Sequence, residues 1–196
     1  MYNPRTFTIP TLKGISENTL DEHMKLYQGY VKHTNYILNK VDELSADTEK
    51  NAYELAELHR RLGFEFGGMR NHECYFALLE KGASELSENS PLYKKITEQW
   101  GSFEIWMVRF KALAATRGVG WAMLSYDPQG DTLINSWVDE QHQGQLAGLS
   151  PVVALDMWEH SFVADYAPSG KKKYINDFFE NINWNVANET YAHLLS

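Results

Sequence analysis

The chain has a single cysteine, Cys74, so it contains no internal disulfide. This cysteine usage fits a reducing compartment, and we expect a cytoplasmic protein stabilised by its core. Long apolar runs are also missing. None approaches the roughly 18 residues needed to cross a bilayer, and no apolar signal segment occurs near the start. We therefore expect no association with a membrane.

Basic residues are too few for a typical nucleic-acid-binding protein. There are 18 Lys and Arg against 26 Asp and Glu, which gives a net charge of −8. Binding to phosphate groups requires a basic face. The only dense basic run is Lys171-Lys172-Lys173, whose simplest interpretation is a solvated turn. The sequence therefore predicts no nucleic-acid partner.

Aromatic residues are plentiful, with six Trp and eleven Tyr among 196 residues. Together with a hydrophobic content of 43% they are sufficient for a substantial core. Apolar residues recur at steps of three and four from Leu20 to Val41, which predicts one face of a long helix. We expect this helix to begin at a capping box formed by Thr19 and Glu22.

A second helix is predicted over about residues 51–81, where glycines occur at positions 63, 67 and 68. Glycine lowers the stability of a helix, so we expect another element to approach closely there. Further helices and three short strands follow, the strands being Gly120–Tyr126, Thr132–Val138 and Val152–Asp156. We predict an α+β fold with an N-terminal helical-hairpin lobe, residues 1–86, and a C-terminal lobe, residues 87–196. The second lobe should contain a three-stranded antiparallel sheet covered by helices.

Three histidines and one aspartate fall on segments that we expect to be buried. His23 lies on the apolar stripe of the first helix, and His72 precedes an apolar stretch of the second. Asp156 ends a predicted buried strand, and His160 follows it by four positions. An unpaired carboxylate is costly in apolar surroundings. Three imidazoles and one carboxylate suit a first-row transition metal, although each histidine alone could be an ordinary core residue.

The segment Asp156-Met157-Trp158-Glu159-His160, followed by Asp165-Tyr166, closely resembles the Asp-x-Trp-Glu-His signature of the iron/manganese superoxide dismutases. The resemblance extends over nearly the whole chain, because other motifs of the family follow in the same order. These are Phe7-Thr8-Ile9-Pro10-Thr11-Leu12, Asn71-His72, Gly101-Ser102-Phe103, Gly118-Val119-Gly120-Trp121, Tyr174-Ile175 and Asn183-Trp184.

The resemblance implies an enzyme that converts superoxide to dioxygen and hydrogen peroxide by one-electron cycling of one manganese or iron ion per chain. The ion would lie between the two lobes, with a solvent molecule as a fifth ligand. The metal ligands carried over are His23, His72, Asp156 and His160. The resemblance also implies at least a homodimer, with a tetramer as the alternative. In it Glu159 would bond His160 of the other chain, and Trp121 and Trp158 would wall the site.

The residues around the bound solvent depart from the family pattern. One branch of the family places a glutamine four residues before the second histidine, where this chain has Gly68, so we expect an empty space there. Another branch supplies a glutamine from the sheet lobe. An ungapped count lands on Glu140, and we instead assign Gln141, with His142 as the alternative. The Gly68 pattern slightly favours manganese.

The entrance to the site also differs from the family. The usual histidine and tyrosine, four and eight residues after the first ligand, correspond to Tyr27 at plus four and Tyr30 at plus seven. We assign Tyr30 as the gateway hydroxyl and Tyr27 as the replacement for the gateway histidine. Val163 stands where the family has a tyrosine that pairs across the dimer. Lys171 is assigned as the charge that steers the anionic substrate.

Two other functions remain open from the sequence alone. A hydrolase could use the same four ligands with a redox-silent metal, and Glu140 would be its general base. A non-catalytic helical interaction protein would need no metal at all. Stoichiometric redox metal distinguishes the dismutase from both.

Overall fold

The computed structural model describes residues 1–195. Two long helices come first, α1 (Glu17–Leu44) and α2 (Ala52–Ala77), joined through a short 3₁₀ turn at Ser45–Asp47. The remaining elements are α3 (Pro91–Trp100), α4 (Phe103–Ala114), β1 (Gly120–Asp127), β2 (Thr132–Asp139), β3 (Ser150–Asp156), 3₁₀ turns at Glu159–Ser161 and Pro168–Gly170, α5 (Lys171–Asn181) and α6 (Trp184–Leu194).

Helix α1 is capped one turn earlier than the sequence predicted. Ser16 is the N-cap, with extended backbone angles, and its hydroxyl accepts a hydrogen bond from the Thr19 amide. The predicted capping box of Thr19 and Glu22 is therefore wrong. Both residues lie inside the helix, and the Glu22 carboxylate pairs with Lys25 at 2.6 Å instead. An earlier serine satisfies the free amides first, so Thr19 becomes an ordinary first-turn residue.

The buried face of α1 carries the first candidate ligand. His23, Tyr27, Val31 and Thr34 are all buried, at the spacing of three and four that one helix face requires. This face packs on α2, and the two helices form the predicted hairpin. The hairpin thus holds His23 in the protein interior.

Three antiparallel strands form the sheet, in the order β2-β1-β3. Trp121 on β1 pairs with Asp156 on β3. Directly paired residues project to the same face of a sheet, so their side chains are neighbours. Helix α2 packs on β3, which brings the hairpin to the end of the strand that carries Asp156.

The α+β fold with a helical N-terminal region is confirmed. The boundary between residues 86 and 87 stays a prediction. In the stretch from residue 1 to residue 195, no helix combines the length and the apolar character that crossing a membrane requires.

The glycines of α2 mark a close approach, as the sequence indicated. A Cβ atom at Gly67 would lie 2.3 Å from the backbone oxygen of Gln141, and one at Gly63 would lie 3.1 Å from the His142 ring. The expectation of an empty space beside Gly68 is wrong. The Tyr30 ring fills it, so that a Cβ there would lie 2.5 Å from Tyr30 Cδ1. The glycines therefore admit both a loop and an aromatic ring to the face of α2.

We predict that Gly67→Ala lowers the free energy of unfolding by about 1 to 3 kcal/mol, because the Gln141 backbone must move. Gly29 is the matched control, since it also lies inside a long helix and has open space around it. Gly29→Ala should raise stability by about 0.4 to 1 kcal/mol. Urea unfolding of both variants measures the difference, and equal effects at the two positions would contradict the packing shown here.

Candidate metal centre

Four side chains from both lobes meet at one point. His23 comes from the middle of α1 and His72 from the last turns of α2. Asp156 is the last residue of β3, and His160 lies on the 3₁₀ turn that follows. One donor atom from each of the four lies within 4.8 Å of the other three. The structure therefore brings together all four residues singled out in the sequence.

The three imidazoles surround one oxygen of the carboxylate. Asp156 Oδ2 lies 3.0 Å from His23 Nε2, 3.3 Å from His160 Nε2 and 3.5 Å from His72 Nε2. The other oxygen, Oδ1, accepts a hydrogen bond from the Trp158 amide at 2.8 Å. That amide follows two residues after Asp156, so the turn itself fixes the carboxylate's orientation.

Burial sets the protonation of the cluster. It lowers the pKa of His72 to about 3, and the neighbouring His23 adds to that shift. Burial also lowers the pKa of His23, against the opposing effect of Asp156. For Asp156 burial alone would raise the pKa, but the His160 and His23 imidazoles outweigh it and hold the pKa well below its usual range. The site therefore offers neutral imidazoles at His23 and His72 and an ionised carboxylate at Asp156, the forms that bind a metal.

Two nitrogen atoms of the cluster lack a hydrogen-bond partner anywhere in residues 1–195. They are His72 Nε2 and His160 Nε2, and both are buried. Buried polar atoms are rarely left unpaired, because the lost hydrogen bond is costly. Both atoms face the Asp156 carboxylate, as they would if one metal ion bound both imidazoles and the carboxylate. Three imidazole nitrogens and one carboxylate oxygen fit an ion such as Mn²⁺ or Fe²⁺.

The surrounding groups orient the imidazoles. His72 Nδ1 lies 2.6 Å from the Gly68 carbonyl oxygen, one helical turn earlier. A hydrogen bond there leaves Nε2 free to face the cluster. Trp121 packs edge-on against His72 with ring centroids 5.0 Å apart, and Trp158 stacks on His160 at 5.8 Å. Both tryptophans thus contact a candidate ligand, and their role as the wall of the site stays a prediction.

Gln141 reaches the site from the loop after β2 and is fully buried. Its Oε1 accepts a hydrogen bond from Trp121 Nε1 at 2.9 Å, and its Nε2 donates to the Tyr30 hydroxyl at 2.9 Å. His142 points elsewhere, toward Gly63 and the Phe64 ring. Among the sheet-lobe candidates, only Gln141 is linked to Tyr30 and Trp121. Its contact with bound solvent stays a proposal.

Sequence reasoning missed how this loop is held in place. The Asn71 side-chain amide donates to the Gln141 carbonyl oxygen at 2.9 Å, and Trp158 Nε1 donates to the Glu140 carbonyl oxygen at 3.0 Å. Asn71 thus holds the loop of Gln141 beside the ligand His72. The Asn-His pair in the sequence pointed to Asn71, but its hydrogen-bond partner lies 70 positions away in the chain and could not be identified from it.

Tyr30 lies on the same face of α1 as His23. On a regular helix seven residues turn through about 700°, so the two side chains point within about 20° of each other. Burial, with the charge of Asp156, raises the pKa of Tyr30, and the phenol keeps its proton. Phe64, which the sequence analysis did not single out, packs against Tyr30 at 6.0 Å and beneath the Arg61 guanidinium at 3.8 Å.

Tyr27 does not lie at an entrance, and its assignment as a replacement gateway needs correction. Its hydroxyl is buried, donates to Glu73 Oε1 at 3.1 Å and accepts from the Arg5 amide at 2.8 Å. Helix geometry puts a side chain at plus four near His23, but these two partners direct its hydroxyl toward the N-terminal segment and α2.

The remaining predicted residues lie at the surface. Glu159 is exposed, and Val163 is 38% exposed. The Lys171 ammonium donates to the Thr116 carbonyl oxygen at 2.7 Å and lies 5.6 Å from the Trp137 ring. Burial lowers the pKa of Lys171. The roles of all three residues stay predictions.

The fold and the donor set are those of a mononuclear metal centre between a helical hairpin and a small sheet. Residues 88–190 match the model of the family described as iron/manganese superoxide dismutases, C-terminal domain. The chain is also 37% identical to "Superoxide dismutase [Fe]" of Aquifex aeolicus, over 92% of this chain and 85% of that protein.

Other relatives are named for iron or for manganese. "Superoxide dismutase [Fe]" of Tetrahymena pyriformis is 32% identical, over 88% of this chain and 89% of its own. "Superoxide dismutase [Mn]" of Mycolicibacterium fortuitum is 33% identical, over 87% of this chain and 81% of its own. The chain belongs to the iron/manganese superoxide dismutase family.

We predict that His23→Gln reduces bound metal from about one ion per chain to less than about a tenth, because one of four ligands is lost. His33 on the same helix is exposed and provides the matched control. His33→Gln should keep the metal. Elemental analysis of both proteins, purified side by side, measures this directly, and equal metal content in the two variants would argue against the site.

Proposed function

We propose that the protein is a superoxide dismutase that uses one manganese or iron ion held by His23, His72, Asp156 and His160. The observation that carries the proposal is the convergence of three imidazoles on one buried carboxylate oxygen. Two of their nitrogen atoms face this oxygen and have no hydrogen-bond partner in residues 1–195. Family membership and relatives named for this activity support the assignment.

The ion, when bound, supplies one-electron redox chemistry between its +3 and +2 states. The chain supplies the proton at the Tyr30 hydroxyl, which accepts a hydrogen bond from Gln141. Within residues 1–195 no acceptor receives the phenolic hydrogen itself, so it is available to an incoming anion. The Gln141 amide has two N–H groups. One bonds Tyr30, and we assign the other to the solvent ligand.

Manganese is the metal that we favour, because the sequence pattern with glycine at position 68 slightly favours it. The Tyr30 ring occupies the space beside Gly68, so a side chain from that position of α2 could not reach the site. The amide comes instead from Gln141 in the sheet lobe, and Trp121 fixes its orientation. Relatives named for iron and for manganese occur at similar identity, so the comparison itself does not separate the two.

The hydrolase alternative loses its proposed base in this structure. The Glu140 side chain is half-buried, and within residues 1–195 its one hydrogen-bond contact is a long one of 3.5 Å from Gln143 Nε2. No observation favours this function over dismutation.

Protein produced separately with manganese and with iron should contain about one ion per chain. Both forms should be assayed for loss of superoxide. We expect the manganese form to be the more active and the reaction to disappear in His160→Ala. Zinc in place of a redox metal, or the absence of activity in both forms, would overturn the proposed function.

We propose that two copies assemble around this site, in the cytoplasm as the single cysteine suggests. His160 is 22% exposed, although its three companions are buried. The exposed Glu159 and the exposed apolar Val163 lie on either side of it in the chain. A partner that covers this surface would bring its own Glu159 to His160. Further pairing to a tetramer is a second possible assembly.

Glu159→Ala should weaken the dimer and shift the sedimentation coefficient toward that of a 22.6 kDa chain at low concentration. The physical reason is the loss of a charge-assisted hydrogen bond across the interface. Glu189 is an exposed glutamate on α6 and serves as the control. Sedimentation velocity over a dilution series compares Glu159→Ala with Glu189→Ala, and a dimer unchanged in both would remove Glu159 from the interface.

A further inference from the structure

A polar cluster with two buried members and one exposed arginine lies beside two of the four ligands. Tyr27 is one helical turn after His23 on α1, and Glu73 follows His72 on α2. Arg70 lies one turn before Glu73. The proposed chemistry uses none of these three residues. Their contacts nevertheless connect the two ligand-bearing helices near the site.

The three residues form a continuous chain of hydrogen bonds. The Tyr27 hydroxyl donates to Glu73 Oε1 at 3.1 Å, and Arg70 Nη1 donates to Glu73 Oε2 at 2.6 Å. Both carboxylate oxygens therefore have a partner. The Arg5 amide donates to the Tyr27 hydroxyl at 2.8 Å, which ties the N-terminal segment to the same point.

The cluster holds a charge in a mostly buried position. Tyr27 is fully buried and Glu73 is 7% exposed, whereas the Arg70 side chain is 46% exposed. A buried carboxylate is costly unless it is paired and hydrogen-bonded. Here the carboxylate is compensated by Arg70, whose guanidinium also lies 5.1 Å from the Tyr2 ring and 5.3 Å from the Phe66 ring.

The cluster also contacts a ligand through an aromatic ring. The Tyr27 ring is nearly parallel to the His72 ring, with centroids 6.5 Å apart. Because His23 and His72 lie on different helices, a movement of α1 relative to α2 changes their separation. The Tyr27–Glu73 bond opposes such movement because it joins the two helices.

We propose that Arg70, Glu73 and Tyr27 form a charge-compensated clamp that positions His23 and His72 and sets the electrostatic potential at the metal. This proposal rests on the proposed function only for the presence of the ion. The three residues are positioning residues, since they touch neither the ion nor the substrate.

The clamp has a consequence that a purely structural role would not have. Glu73→Gln removes the negative charge and leaves Arg70 uncompensated, which favours the reduced ion. The double variant Arg70→Gln/Glu73→Gln removes both charges, so the net charge near the site is unchanged. The midpoint potential should therefore rise in the single variant and return toward the wild-type value in the double variant.

The experiment is redox titration of the metal-loaded protein, followed by its optical spectrum. We expect Glu73→Gln to shift the ratio of oxidised to reduced ion at a fixed potential by roughly threefold or more. The double variant should restore most of that shift. Equal shifts in the single and double variants, or no shift in either, would overturn the electrostatic part of the proposal.

The positioning part is tested with Tyr27→Phe, which keeps the ring and removes the hydroxyl. We expect metal affinity to fall by roughly tenfold, as for other groups that orient metal ligands. Tyr126→Phe is the control, since it also removes a tyrosine–carboxylate bond, to Asp131 at 2.9 Å, at the other end of the sheet. Equal affinities in the two variants would reject the positioning role.

Failure of the proposed function would look different from failure of the clamp. A wild-type protein that binds no manganese or iron, or shows no reversible couple, rejects the proposed function. A wild-type protein with a normal couple that the clamp variants leave unchanged rejects the clamp alone.

Discussion

One buried carboxylate organises this structure. Asp156 ends β3 in the interior, where an unpaired negative charge would be strongly unfavourable. Three imidazoles surround it, and no two of them come from the same element. The hairpin must therefore stay docked on the sheet lobe for the charge to be compensated. A bound cation would complete this arrangement, because it would also pair the two nitrogen atoms that have no hydrogen-bond partner in residues 1–195.

A second set of contacts surrounds the four ligands and depends on the docking of the hairpin on the sheet. The Gln141 loop can approach α2 only because Gly67 has no side chain, and Asn71 beside the ligand His72 holds the loop there. Gln141 then joins Tyr30 on α1 to Trp121 on β1, so that one amide connects three elements around the site. Elsewhere in the hairpin, the Glu73 carboxylate on α2 accepts a hydrogen bond from Tyr27 on α1 and so connects the two helices.

The sequence predicted the parts that follow from local pattern. Helical periodicity located His23 on a buried face, and a short apolar run located Asp156 at the end of a strand. What it could not predict depends on residues far apart in the chain. The Tyr27 hydroxyl is held by Arg5 and Glu73, and the space beside Gly68 is filled because Tyr30 comes from another helix. The start of α1 was misplaced for a local reason, since Ser16 competes with Thr19 as the cap.

The most direct test of the account is a crystal structure of the protein grown with manganese, with data collected at wavelengths on either side of the manganese absorption edge. The account predicts one anomalous peak per chain, about 2 Å from His23, His72 and His160 nitrogen atoms and from an Asp156 oxygen. A peak at any other group of residues, or four ordered side chains with no peak between them, would contradict it.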